Sequence, residues 1–124
     1  MALSIASSSS FEGKIAYDTD LEADAKVNIF GGPVVVKFID IDNAANAGTV
    51  VYVKLYDSST TVTSGTTVPD HQIAVAGGAR RALVYTGGVG FTSGLSMNCS
   101  TTAGTGGDAT TDPSGAVIVS VVAT

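Results

Sequence analysis

From Thr49 to Thr124 the chain alternates short β-type runs with loops of Ser, Thr and Gly. The runs TVVYVKLYD (49–57), HQIAVAG (71–77), ARRALVYT (79–86), GLSMNCS (94–100) and AVIVSVVAT (116–124) suit a pleated, half-buried strand, in which successive side chains point to opposite faces. In 50–57 the period predicts Val51, Val53 and Leu55 inward, with Tyr52, Lys54 and Tyr56 outward. Ile73 and Val75 form the next inward set, and Leu95, Met97 and Cys99 another. Leu83 and Tyr85 face one way and Val84 the other; Val117, Val119 and Val121 alternate with Ile118, Ser120 and Val122. A one-residue slip would exchange the two faces, so the pattern sets the register.

Two further strands are predicted upstream. In AKVNIFG (25–31), Val27 and Ile29 share one face and Lys26, Asn28 and Phe30 the other. Gly31-Gly32-Pro33 then breaks the ladder, and PVVVKFIDI follows with apolar residues on both faces: Val34, Val36 and Phe38 on one, Val35, Ile39 and Ile41 on the other. A strand apolar on both sides is central in a sandwich or covered by another subunit. Gly77-Gly78 reads as a tight hairpin turn and Gly87-Gly88 as a second turn, while DPSG (112–115) marks the turn before the last strand. Seven to eight short strands with regular turn punctuation predict an all-β fold, an antiparallel β-sandwich or jelly-roll-like domain over residues 25–124.

Residues 1–24 have a different character. A serine run, Ser7 to Ser10, leads into FEGKIAYDTDLEAD, where five carboxylates face a single Lys14. This stretch reads as an extended acidic N-terminal arm, or one with a short helical turn near Asp20–Ala25 capped by Asp18 or Thr19.

Composition narrows the function classes. A length of 124 residues and 44% hydrophobic content make one domain with a real core, built on Val, Ile, Leu and Ala because Trp is absent. A net charge of −5 with only six basic residues argues against nucleic acid and against an anionic membrane surface as partners. No run approaches the roughly 18 apolar residues of a membrane helix. The start MALSIASSSS lacks the basic segment of a secretion signal, and a lone Cys99 makes no internal disulfide, so synthesis in the cytoplasm is expected.

No catalytic, cofactor or metal site stands out. Asp70 and His71 are neighbours on a strand and point apart, which is poor geometry for a triad. Cys99 continues the Leu95/Met97 alternation and reads as a small core residue. Asp18-x-Asp20-x-Glu22-x-Asp24 opens like a calcium loop but has Ala23 and Ile29 where Gly and Glu belong. GGVGFTSG (87–94) lacks both the P-loop lysine and a following helix. The expectation is a protein that is not an enzyme and uses no cofactor.

At Gly90-Phe91-Thr92-Ser93-Gly94-Leu95-Ser96, followed by TTAGTGG and a valine-rich last strand, the chain resembles small virion proteins of tailed bacteriophages. VYVKLYD and the Pro-centred loop at 68–70 extend the resemblance over residues 49–124. It implies a capsid decoration (cement) protein, made in the host cytoplasm and bound to the outer shell between capsomers. The implied partner is the major capsid protein, and a threefold junction would call for a homotrimer. The alternatives are a tail, neck or fibre-associated virion component, or a carbohydrate-binding sandwich presenting Tyr52, Tyr56 and Tyr85. Candidate interface residues are Phe11, Glu12, Asp18, Asp20, Glu22 and Asp24 in the arm, with Val34, Val36 and Phe38 on the two-faced strand.

Overall fold

The computed structural model describes residues 3–8, 13–105 and 110–124. Its eight strands are β1 (Leu3–Ser8), β2 (Gly13–Asp18), β3 (Val34–Asp42), β4 (Val51–Asp57), β5 (His71–Val75), β6 (Arg80–Phe91), β7 (Leu95–Ser100) and β8 (Ile118–Ala123). They form an antiparallel β-sandwich: a five-stranded sheet in the order β1-β2-β8-β3-β6 faces a three-stranded sheet in the order β5-β4-β7. Among the described residues there is no α-helix, and none long and apolar enough to cross a membrane.

The core is the set of inward alternations. Val51, Val53 and Leu55 from β4, Ile73 and Val75 from β5, and Leu95, Met97 and Cys99 from β7 meet Val119 and Val121 of β8, with Val117 just ahead of that strand. All are at most 5% exposed, so the period of two located them from sequence. Fully burying one such side chain contributes about 1.5–3 kcal/mol, which makes these strands the main source of stability.

Strand β3 departs from simple alternation. Its ladder shifts between Val36 and Phe38, where a bulge against both β6 and β8 changes the parity of the strand. Val34 and Val36 before the bulge, and Ile39 and Ile41 after it, therefore all point into the core. The apparent two-faced character of 34–41 is one buried face interrupted by one bulge. Across from it, β6 continues past Gly87 and Gly88 as one strand with a bulge, where the sequence suggested a turn. Their φ values of 79° and 83° supply the strand's share of the bulge, and a Cβ on Gly88 would collide with Val35.

Gly77-Gly78 does turn the chain, with Ala79 N–H donating to Ala76 C=O at 3.1 Å. It is not a hairpin, because β5 and β6 belong to different sheets and the turn carries the chain between them.

The N-terminal region also differs from an arm. β2 pairs with β8 over Lys14–Asp18, and Ala16, Leu21 and Ala23 are core residues at 0%, 0% and 3% exposure. The segment that follows lines the free edge of β7. Cys99 N–H donates to Glu22 C=O (2.8 Å), Lys26 and Met97 exchange a pair (2.8 and 3.0 Å), and Ile29 N–H reaches Leu95 C=O (2.9 Å). The strand expected at 25–31 is reduced to this one bridge because Asn28 has φ 49°. That left-handed residue breaks the alternation, leaving Val27 39% exposed while Ile29 and Phe30 are both buried.

Candidate interaction surface

The two outer faces of the sandwich are unlike. On the small sheet, Tyr52, Lys54 and Tyr56 of β4 stand opposite Ser100, Asn98 and Ser96 of β7. Their side chains leave the core as expected, yet Lys54 and Tyr56 are only 1% and 2% exposed. The loops after β4 and β7 lie over them and close a polar layer. Lys54 Nζ donates to Ser100 Oγ (2.9 Å) and to Gly104 C=O (2.8 Å). Tyr56 O–H donates to Asn98 Oδ1 (3.0 Å), and Asn98 Nδ2 donates to Ala23 C=O (2.9 Å) and Ser64 Oγ (3.2 Å). Burial pulls the Lys54 ammonium below its ordinary pKa. Lys54, Tyr56 and Asn98 are thus partnered by this layer and not left for an outside ligand.

The outer face of the five-stranded sheet is open. Direct cross-strand partners there are Ala6 and Ile15, Ile15 and Val122, Val122 and Phe38, and Phe38 and Val84. One apolar row thus crosses all five strands in register, because each residue points out of the pleat at the same level. The adjacent row is Ser4, Tyr17, Ser120, Asp40 and Ala82. Val84 is 75% exposed and Tyr17 41%. Asp40 is paired with the Arg80 guanidinium, its two oxygens sharing the Nε–H at 3.1 Å and Oδ2 also accepting from Nη2, so these two charges offset each other. At one end of the sandwich, Pro33, Val34, Val35, Gly90, Phe91, Thr92 and Thr124 line an open apolar pocket of about 200 Å³.

The residues singled out from sequence do not assemble into one surface. Phe11 and Glu12 lie outside the described residues. Val34 and Val36 are in the core at 7% and 0% exposure, a correction that follows from the bulge. Asp18 is fully buried, with Oδ1 accepting Asp20 N–H at 2.9 Å and Oδ2 unpartnered among the described residues, so burial raises its pKa. Asp20 and Glu22 are half-buried and Asp24 exposed; the nearby Asp20 carboxylate raises Glu22. Phe38 alone stands on the open face. Ile15, Tyr17, Val84 and Val122 were missed, although Val122 already made the last strand apolar on both sides in the sequence.

The reactive side chains are dispersed. Asp70 Oδ2 accepts Asp57 N–H (2.6 Å), while the His71 ring meets Phe91 edge-on at 5.7 Å. Burial pushes the Cys99 thiol up to about 12, so it is protonated at neutral pH. Among the described residues no three His, Cys, Asp or Glu side chains are placed to hold a metal ion.

Asp57 has a structural task at the pocket end. Its carboxylate accepts Ser93 N–H (2.8 Å), Thr92 N–H (3.2 Å), Thr92 O–H (3.1 Å) and Gly94 N–H (3.4 Å), pinning the β6–β7 turn. These donors, Ser93 first, hold the carboxyl below its ordinary value of 3.8. A carboxyl depressed in the folded state contributes stability that is complete above the unfolded pKa and lost as pH falls through the folded one. In acid titrations followed by circular dichroism, Asp57→Ala is expected to lower the melting temperature at pH 7, and the gap from wild type to narrow below about pH 4. A gap constant down to pH 2 would show that the carboxylate contributes nothing through its charge.

No family model, curated protein or solved structure matches the chain.

Proposed function

We propose that this protein is a structural component of a bacteriophage virion, a decoration (cement) protein that binds the outer capsid shell between capsomers and stabilises it. Its contact surface is the open face of the five-stranded sheet. The observation that carries the proposal is the row Ala6, Ile15, Val122, Phe38 and Val84, an apolar stripe across a whole sheet with no described element over it. Ala6 and Val84 are exposed and Ile15, Val122 and Phe38 half-buried, and a contiguous apolar patch that solvent reaches marks an interaction site. A face of five paired strands suits a partner that is itself a broad, ordered protein surface.

Charge and chemistry support a protein partner. With six basic residues against eleven acidic ones, the chain offers no stripe for phosphates. The carbohydrate-binding alternative keeps only Tyr52 of its three stacking candidates free of the core and partly exposed, since Tyr56 is buried and Tyr85 packs against the core. The resemblance of residues 49–124 to small virion proteins supplies the identity of the partner as the major capsid protein.

The test is co-sedimentation with empty capsids. Wild-type protein is expected to pellet with the shells and to raise their disruption temperature. Phe38→Asp/Val84→Asp is expected to weaken binding about 100-fold or more, because two charges would be buried against an apolar partner. Its circular dichroism spectrum should stay that of wild type, since both side chains point away from the core. Undiminished binding by the double variant would remove this face from the contact. Wild-type protein that ignores capsids but labels tails in cryo-electron microscopy would move the protein to the tail.

A further inference from the structure

We propose that the outer edge of β1 is a homotypic docking edge: β1 pairs antiparallel with β1 of a second copy, joining two five-stranded sheets about a two-fold axis at Ile5. β1 ends the sheet, and among the described residues nothing bonds the N–H and C=O groups on its far side. Ser4, Ile5 and Ala6 are all exposed.

The other three sheet edges are protected. The segment from Glu22 to Ile29 bonds along β7. On β5, the Arg81 guanidinium donates to Ala74 C=O at 2.9 Å. β6 begins with Arg80-Arg81 and is distorted by its Gly87-Gly88 bulge. Charges, bulges and covering segments are the devices that keep sheet edges from pairing. Among the described residues β1 has none: LSIASS contains no charge, proline or glycine, and its ladder with β2 is regular over all six pairs. A regular, neutral, uncovered edge is a template for another strand.

The occupant follows from charge and from side-chain parity. Each copy carries a net charge of −5, so two copies can approach closely only where charge is absent, as along β1. Leu3 and Ile5 share the inner face of β1, as do Ala16 and Asp18 opposite them. Leu3 packs against the core, but Ile5 remains 45% exposed. Opposed residues on antiparallel strands must share a face, so β1–β1 registers pair odd positions with odd. Setting Ile5 opposite Ile5 overlaps Leu3 through Ser7 and lets the two exposed isoleucines cover each other. An Ala6–Ala6 register would face each Ile5 with Ser7. The assembly is a closed two-fold dimer, not the trimer expected from the resemblance.

The inference does not depend on the capsid role, and its experiment uses no capsids. Light scattering behind size-exclusion chromatography is run on the full chain up to millimolar loading, because a short ladder belongs to the weak class of interfaces under about 1,200 Å². Wild type is expected to move from 12.3 kDa toward twice that mass. Ile5→Lys should stay monomeric at every loading with an unchanged circular dichroism spectrum. Cysteine scanning fixes the register, since the native Cys99 is fully buried and will not interfere. Oxidised Ile5→Cys should run as a disulfide dimer, while Ala82→Cys, exposed on β6, should not link. A monomer at all loadings, a trimer, a dimer indifferent to Ile5→Lys, or equal linking by both cysteines would each overturn the proposal.

Discussion

Deleting residues 1–24 is expected to unfold the protein, whereas deleting residues 1–8 is expected to leave it folded. The longer truncation removes β2 and so strips the edge of β8 over five paired positions. It also takes Ala16, Leu21 and Ala23 out of the core. Leu21 is anchored by its N–H donating to Val117 C=O at 2.9 Å, and losing a side chain of this kind costs about 2–5 kcal/mol by itself. The loss of Ala23 C=O also leaves Asn98 Nδ2 short of one acceptor in the polar layer. Against a total stability of about 5–15 kcal/mol, the sum leaves no folded state. The shorter truncation removes β1, which among the described residues pairs only with β2. Circular dichroism and urea denaturation of the two proteins decide the matter. A folded chain lacking 1–24 would mean that β2 is an attachment and not part of the sandwich.

Asn43→Ala is expected to cost about 3 kcal/mol or more, on the scale of about 1–3 kcal/mol for each buried polar group left unpaired. Asn43 is fully buried where the chain leaves β3. Its amide donates to Thr49 C=O (3.0 Å), Val75 C=O (3.2 Å) and Ala76 C=O (3.0 Å), joining the β3–β4 connection to the end of β5. Its Oδ1 accepts from Asn46 Nδ2 at 2.8 Å, and Asn46 in turn bonds both Gly115 N–H (2.7 Å) and Gly115 C=O (3.0 Å). Asn43 and Asn46 together therefore tie three crossings between the sheets. Asn43→Asp keeps the acceptor but loses every donor and buries a charge, so it should destabilise at least as much at pH 7. Ala47→Ser, exposed in the same loop, should shift stability by less than about 0.5 kcal/mol. Urea denaturation at pH 7 measures all three, and an Asn43→Ala change under about 1 kcal/mol would show that water replaces the amide at little cost.

Asn43 also shows where sequence reading stops. DNAANAG is legible as a loop, but the carbonyls that need an amide donor come from residues six and more than thirty positions away. The interaction surface was hidden for a related reason. In GKIAYD the bulkier apolar residues, Ile15 and Tyr17, alternate on one face, yet the structure buries the other face, with Ala16 and Asp18. On β3 a single bulge moved Val34 and Val36 inward and left Phe38 outside. Lys54 and Tyr56 were correctly directed away from the core and are still buried, because the long loops that cover them carry no periodic signal.

What the sequence by itself determined is the all-β class, the location of most strands and the inward set of nearly every regular one. Those properties follow from the two-residue period of a strand, which is local and written in neighbouring positions. Only the tertiary structure decided which strands became neighbours, that β2 entered the sheet, that Gly77-Gly78 crosses between sheets, and which outer face stayed open. Such outcomes depend on pairings between distant segments and on bulges that reverse parity, and a strand's own pattern does not encode what will lie over its far face.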